Sequence, residues 1–353
     1  MQRLSGLDEL RGVAVGLVLV LHLAVQLGDG GFMSELLLVP ALGVGVDLFF
    51  VISGVVIVQS LFGFREKGLQ ASETVSAFYT RRFMRIVPFA WFVALLAGLS
   101  IIVRGGATVG DIATALSFTG NVYWAPCFGG ASGCGNPDIT GHYWSLATEM
   151  QFYLVAPLLL FAGRRAVQIA VIALLVVGVF WARPWGGYWW TFRVEALAIG
   201  ILIGMEIRAG NAVFKGNAGA MTVGEAALWM VLAGVVVRLL QGIAPGLAIV
   251  IVAVTAGAIV GRSVKRPAGW SRSLTSRTAA WLGRNSYGIY LVHPLVIAIV
   301  GFTLRPDFGF AVCAAIAAPL SVLVGWYLGR AVEKPARDLG YWLTRDRSEK
   351  TPQ

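Results

Sequence analysis

Charged residues are scarce in this sequence. They make up 13% of the 353 residues, while 57% are hydrophobic and the mean hydropathy is +0.76. A soluble globular domain carries about 25% charged residues. So small a charged fraction cannot cover a surface that faces water, which excludes a soluble protein and makes the lipid bilayer the main solvent of the chain.

Histidine and cysteine are also rare, with three of each in the whole chain. Cys313 lies in a late apolar run, where a free cysteine acts as a small core residue. Cys127 and Cys134 flank a Gly/Ser-rich turn in a polar loop, so their state depends on which side of the membrane holds that loop. We predict no metal cofactor.

The hydrophobic residues are gathered in runs that suit membrane helices, since about 20 apolar residues are needed for a helix to cross a bilayer. We predict an all-α fold, a polytopic membrane helix bundle of about ten transmembrane helices. Residues 1–340 form the membrane domain and residues 341–353 a short cytoplasmic tail. The predicted spans are 11–29, 40–62, 86–104, 144–162, 166–182, 189–207, 223–240, 245–261, 285–303 and 309–330.

The basic residues set the predicted orientation. With the N-terminus inside the cell, 23 of the 28 lysines and arginines fall in cytoplasmic segments, as the positive-inside rule requires. We therefore predict a multi-pass protein of the cytoplasmic (inner) membrane with both termini cytoplasmic, in contact with membrane lipids. The same rule accounts for the net charge of +10, so no nucleic acid is predicted as a partner.

This topology places the 121–143 loop on the outer side, where disulfides persist. We predict a disulfide between Cys127 and Cys134, which would close a small loop. Two unpaired thiols are the alternative.

Ionisable residues within membrane spans are costly and usually mark function. Asp47, Glu149 and Glu195 are such acids, and His22 is the candidate for proton transfer. A helix rises about 1.5 Å per residue, which puts His22, Asp47 and Glu149 at one depth in the outer half of the membrane. We predict that these three residues meet in a buried active site, although a lone histidine on an apolar helix is also consistent with a core residue.

Arginines mark the cytoplasmic side of the same region. Arg11 lies 11 residues before His22, so both side chains share one helix face. This spacing suits a long ligand with a phosphate at one end and a reactive group at the other, while a simple membrane anchor is the alternative for Arg11. Arg81, Arg82 and Arg85 crowd the start of the third span, where they bind either phosphates or lipid headgroups.

Six motifs in order along nearly the whole chain resemble those of the acyltransferase-3 superfamily of membrane O-acyltransferases. An arginine followed eleven residues later by a histidine resembles the family's first signature. The motifs lie at Leu7 to Gly12 with His22, Gly45 to Gly54, Arg81 to Pro88, His142 to Tyr153, Ser286 to Pro294, and Glu333 to Pro335.

The resemblance implies transfer of an acyl group, commonly acetyl, from cytoplasmic acyl-CoA to a hydroxyl of a glycan or lipid-linked saccharide acceptor. A base must then take the hydroxyl proton, and an imidazole with an ordinary pKa near 6.5 suits that role. We predict His22 as the general base, with Glu149 preferred over Asp47 as its carboxylate partner.

The remaining site residues follow from the same hypothesis. Arg11, Arg81, Arg82 and Arg85 would hold the phosphates of the coenzyme. The acceptor would approach from outside past aromatic and polar residues, and we interpret His293 as structural. The predicted acceptor-side residues are Trp144, Tyr153, Ser53 and Arg193.

A transporter or flippase of a glycan or lipid-linked intermediate is the competing interpretation. Such a protein would use the same buried charges as a substrate or proton path. Without the family resemblance, the residues favour neither class.

Overall fold

The computed structural model describes residues 5–28, 42–104, 108–128, 131, 135, 137–183, 188–210, 221–263 and 273–344. Within these ranges the regular structure is helical, as the sequence predicts. The helices are α1 (Ser5–Leu27), α2 (Gly45–Glu66), α3 (Ala71–Arg104), α4 (Val109–Leu116), α5 (Gly120–Phe128), α6 (Pro137–Thr140), α7 (Tyr143–Val155), α8 (Arg164–Phe180), α9 (Glu195–Arg208), α10 (Val223–Leu240), α11 (Pro245–Ser263), α12 (Leu274–Arg284), α13 (Ser286–Leu304), α14 (Phe310–Leu328) and α15 (Lys334–Leu343).

Short irregular helices interrupt this series at three places. A 3₁₀ helix at Ala156–Leu160 follows α7, and another at Tyr188–Thr191 precedes α9. A π-helical turn at Gly329–Glu333 joins α14 to α15. The predicted tail boundary at residue 341 falls inside α15, and residues 345–353 lie outside the described residues.

Seven helices in the described part of the chain are long and apolar enough to cross a membrane. They are α1, α2, α3, α10, α11, α13, and α14 continued through α15. The other three predicted spans, 144–162, 166–182 and 189–207, fall on α7, α8 and α9, which have 13, 17 and 14 residues. The 3₁₀ helices between α7 and α8 and between α8 and α9 take up part of this region and shorten its α-helices.

Helix α2 lies in the middle of the bundle, and its residues are buried along most of its length. It meets α9 at a backbone-to-backbone contact between Gly54 and Gly200. A Cβ added at Gly200 would lie 2.1 Å from the carbonyl oxygen of Val51, so only glycine allows this approach. Small residues commonly permit such close crossings between membrane helices.

Two more glycine contacts place the helices that carry the site. Gly283 of α12 touches α1, where an added Cβ would lie 1.6 Å from the Asp8 carbonyl oxygen. Gly288 of α13 touches α14, where an added Cβ would lie 2.3 Å from the Gly325 carbonyl oxygen. These contacts fix α12 against α1 and α13 against α14. Helix α1 also packs against α2 and α13, and with α3 and α7 these helices line a central cavity.

Candidate active site

A cavity of about 730 Å³, including its open mouth, lies between α1, α2, α3, α7 and α13 and is lined by both apolar and polar side chains. Three guanidinium groups and one carboxylate line it, together with six hydroxyl-bearing side chains. The polar lining residues are Arg11, Arg82, Arg85, Glu149, Ser53, Ser145, Ser286, Tyr153, Tyr287 and Tyr290.

The three arginines differ in how the protein neutralises them. Arg11 forms an ion pair with Asp8 of its own helix, with 3.4 Å between Nη1 and Oδ1. Arg85 makes neither a hydrogen bond nor an ion pair with any residue in the described part of the chain, although it lines the cavity. An arginine of this kind, facing a polar cavity, is suited to an anion supplied by a ligand.

Arg82 is buried and serves mainly to organise the cavity wall. Its Nη2 donates to Ser60 Oγ at 3.0 Å and to the Val56 carbonyl oxygen at 3.2 Å. Its Nη1 lies 3.5 Å from Tyr153 Oη, and Tyr153 in turn donates a short hydrogen bond to Glu149. The hydroxyl of Tyr153 therefore links the cation to the carboxylate.

A pair of hydroxyls, one from α7 and one from α13, forms another part of the cavity lining. Ser145 Oγ and Tyr290 Oη lie 2.6 Å apart, and Tyr290 Oη donates to the His142 carbonyl oxygen at 2.9 Å. Ser145 lines the cavity and could turn its hydroxyl towards a bound carbonyl oxygen, whereas the hydroxyl proton of Tyr290 is already donated to His142.

Next to Tyr290 of this pair lie the chain's three histidines, none of which is among the residues that line the cavity. The ring centroids of His22 and His293 are 4.7 Å apart, and those of His142 and His293 are 5.8 Å apart. His22 Nδ1 lies 2.9 Å from the Val18 carbonyl oxygen, and His293 Nδ1 lies 3.1 Å from that of Ile289. Because a carbonyl oxygen only accepts hydrogen bonds, Nδ1 carries the proton in both neutral rings and Nε2 is left as the basic atom.

The sequence did not indicate this histidine cluster. His293 looked structural, and His142 stood out only as part of a motif beside Trp144. The three histidines come from positions more than a hundred residues apart, and only helix packing brings them together. The described residues contain no group of three or more His, Cys, Asp or Glu arranged to hold a metal ion.

Six of the predicted site residues line the cavity together: Arg11, Arg82, Arg85, Ser53, Glu149 and Tyr153. Arg81 does not line it. Its Nε donates to Thr344 Oγ1 at 2.6 Å, and its guanidinium lies over the rings of Phe64 and Tyr341. Arg81 therefore fixes α15 against α3.

The structure gives His22, Glu149 and Asp47 three different sets of partners. Glu149 lines the cavity and His22 packs against His293, while Asp47 Oδ2 accepts from Arg193 Nη2 at 2.5 Å. The sequence predicted that these three residues meet because they lie at one depth in the membrane. Depth gives only the position along the membrane normal, so it could not show which residues are neighbours within the membrane plane.

The Asp47–Arg193 pair is part of a buried charge network rather than of the cavity lining. Side-chain exposure is 1% for Asp47 and 3% for Arg193. A second buried pair, Arg183 with Glu195, lies beside it on the loop before α9 and at the start of that helix. These opposite charges satisfy one another inside the protein.

Trp144 and Cys127 complete the predicted set. Trp144 is buried, with its ring centroid 4.9 Å from that of Trp190, so it packs in the core next to the site. Cys127 is disulfide-bonded, whereas Cys134 lies outside the described residues, so their pairing stays a prediction. Cys313 is free and buried.

Comparison with known proteins supplies an independent finding. A family of acyltransferase domains, Acyl_transf_3, matches residues 4–330 of this chain. The putative peptidoglycan O-acetyltransferase YrhL of Bacillus subtilis is 28% identical over 96% of this chain and 55% of its own length. The peptidoglycan O-acetyltransferase OatA of Listeria monocytogenes is 25% identical over 95% of this chain and 56% of its own.

The O-acetyltransferase OatA of Staphylococcus aureus is 29% identical over a shorter match, which covers 50% of this chain and 29% of the relative's own length. The chain thus spans about half the length of the first two relatives. No solved structure matches it.

Proposed function

Because the chain belongs to the Acyl_transf_3 acyltransferase family, we propose that it is a membrane-bound O-acyltransferase. It transfers an acyl group, in the first place acetyl, from cytoplasmic acyl-CoA to a glycan hydroxyl on the outer side of the membrane. The acceptor class is a cell-wall glycan or its lipid-linked precursor, in line with the names of two relatives. Both termini are cytoplasmic, and ten helical segments cross the inner membrane.

The cavity carries this proposal, because its charges match those of the donor. Arg11, Arg82 and Arg85 face a space that holds a single carboxylate, Glu149. Phosphate groups of the coenzyme would pair with Arg85 and Arg11, since guanidinium groups bind phosphate oxygens in a bidentate geometry. Arg82 is already hydrogen-bonded to the protein and would supply charge without moving.

His22 is the proposed general base. Its Nδ1–H bond to the Val18 carbonyl holds the ring in the tautomer whose Nε2 accepts a proton. Nε2 takes the proton of the acceptor hydroxyl as its oxygen attacks the thioester carbonyl. The hydroxyl of Ser145, which lines the cavity, would stabilise the oxyanion that forms. Glu149 orients Tyr153 and balances the charge of Arg82.

Two arginines of α3 offer a matched test of donor binding. Arg85→Gln removes a cation from the cavity, whereas Arg81→Gln removes one that packs against Phe64 and Thr344. A hydrogen bond to a charged group is worth about 1.5–3 kcal/mol, which predicts a 10- to 150-fold rise in the KM for acetyl-CoA for Arg85→Gln. Arg81→Gln should leave that KM unchanged.

The measurement uses purified protein in lipid nanodiscs with labelled acetyl-CoA and a peptidoglycan fragment as acceptor. Equal KM values for the two variants would contradict the assignment of the cavity to the donor. If the wild-type protein neither transfers nor hydrolyses the acetyl group, a transporter would be favoured instead. His22→Ala should abolish transfer at unchanged membrane abundance, and normal turnover by that variant would remove His22 from the mechanism.

A further inference from the structure

Glu333 is a buried acid that the reaction proposed above does not use. It is the last residue of the π-helical turn at Gly329–Glu333 and is 6% exposed. Its Oε1 accepts a hydrogen bond from Arg337 Nη1 at 3.0 Å, four residues further along the chain. Acidic side chains are seldom buried unless they are paired, and π-helical turns are frequent at functional sites. Both features call for an explanation of this residue.

The π-helical turn packs against α3 and α13, two of the helices that line the cavity. A Cβ added at Gly329 would lie 3.5 Å from Glu333 Oε2 and 3.8 Å from the Cα of Gly288 in α13. The carboxylate therefore lies near the start of α13, where Ser286 and Tyr287 line the cavity. Glu333 itself does not line the cavity, so its charge is what can act there.

That charge acts on Arg85, the cavity arginine without a direct partner in the described part of the chain. The charges of Glu333 and Arg85 attract each other through space, but Glu333 makes its ion pair with Arg337 instead. Arg85 therefore has an opposite charge nearby while the N–H groups of its guanidinium stay available. A guanidinium in this state can still bind a phosphate in a bidentate geometry.

The other two cavity arginines are neutralised more directly. Arg11 forms an ion pair with Asp8, and Arg82 is linked to Glu149 through a tyrosine hydroxyl. Each of the three cations thus has its own acid, and for Arg85 that acid is held at a distance by the π-helical turn. This difference leaves Arg85 as the arginine best suited to exchange its counter-charge for that of a ligand.

We propose that Glu333 sets the affinity for the coenzyme by acting through Arg85. The inference rests on the proposed acyltransferase function, which assigns Arg85 to the coenzyme's phosphates. Before the coenzyme binds, the carboxylate of Glu333 offsets the charge of the half-buried guanidinium. Once a phosphate pairs with Arg85, the same carboxylate repels it, because like charges interact strongly where the dielectric constant is low. Glu333 thereby keeps binding weak enough for the free coenzyme to leave after each transfer.

Glu333→Gln tests this role, because it keeps the shape of the side chain and removes its charge. We expect the Kd for coenzyme A to fall by about 5-fold or more, since one unit charge near the phosphate is lost. Damage to the fold would not produce such a gain in affinity. Glu333→Asp keeps the charge and should bind coenzyme A with the wild-type Kd. The control Asp338→Asn removes an exposed acid that pairs with Lys334, and should also leave the Kd unchanged.

The measurement is equilibrium binding of labelled coenzyme A to purified protein in lipid nanodiscs. It is repeated with Arg85→Gln and with the double variant Arg85→Gln/Glu333→Gln. If Glu333 acts through Arg85, the gain in affinity should be much smaller when Arg85 has been replaced. An equal gain in both backgrounds would overturn the dependence on Arg85. Product inhibition by coenzyme A should become stronger in Glu333→Gln, because the free coenzyme leaves more slowly.

The two levels of the proposal fail in different ways. If wild-type protein binds no coenzyme A, the assignment of the cavity to the donor fails, whatever the Glu333 variants do. If wild-type protein binds it and folded Glu333→Gln has an equal or higher Kd, only the role of Glu333 is overturned.

A second variant keeps the test decisive should Glu333→Gln not fold. Arg337→Gln removes the cation that offsets part of the charge of Glu333, so it should raise the Kd for coenzyme A. The matched control Arg330→Gln replaces an arginine that lies over the Trp326 ring, and should leave the Kd unchanged. Equal Kd values for these two variants would contradict the role of Glu333.

Discussion

The buried ion pair between Asp47 and Arg193 yields the sharpest test of how this structure is held together. Asp47→Asn keeps the shape of the side chain and removes its charge. Arg193, 3% exposed, would then be left without its anion, because neighbouring Glu195 is already paired with Arg183. Removing one partner of a buried pair costs about 3–5 kcal/mol.

That cost can be converted into a melting temperature. With an entropy of unfolding of about 2.1 cal/mol/K per residue, it predicts a fall of about 4–7 °C for a chain of this length. The double variant Asp47→Leu/Arg193→Met replaces the pair by apolar groups of similar size. It should recover most of the loss, since such replacements are often neutral or stabilising.

The assay is thermal unfolding of purified protein in detergent, followed by tryptophan fluorescence. Lys334→Ala is the control, because it breaks an exposed ion pair with Asp338 and should not change the melting temperature. A wild-type melting temperature for Asp47→Asn, combined with lost kcat, would refute this reasoning. Asp47 would then be a catalytic residue, as the sequence analysis allowed.

Three further predictions follow from particular contacts. Gly200→Ala should reduce the free energy of unfolding by about 1–3 kcal/mol, the cost of overpacking, and so lower the melting temperature, because the new Cβ meets the Val51 backbone. The control Gly16→Ala, whose Cβ meets nothing within 4 Å, should leave the melting temperature unchanged. Equal effects of the two variants would contradict the described crossing. Glu149→Gln should lower kcat by orders of magnitude at constant abundance, and full activity would exclude a role for this carboxylate. Thiol alkylation and mass spectrometry should detect Cys127 as labelled only after reduction; labelling without reductant would disprove its disulfide.

Local chemistry in the sequence predicted several of the residues that line the cavity. Arg11, Arg82, Arg85 and Glu149 were all chosen from their place near or within apolar runs, and all four line one cavity. The sequence also grouped Arg81 with Arg82 and Arg85 at the start of the third predicted span. Yet Arg81 lies one turn earlier on α3, where it meets α15 instead of the cavity.

Contacts between side chains of helices that are distant in sequence could not be predicted from local sequence patterns. Asp47 looked like a catalytic acid because it lies within an apolar run, and only its contact with Arg193 shows a buried ion pair. In the same way, His293 looked structural until packing placed it beside His22.

Membrane location and helical structure follow from composition and from the length of the apolar runs, so the sequence alone determines them. It also determines which residues are costly to bury. Tertiary structure alone decides which of those residues meet, because lateral positions in a bundle depend on how the helices cross. Here the crossings are set by contacts such as the one between Gly54 and Gly200, where backbones touch with no side chain between them.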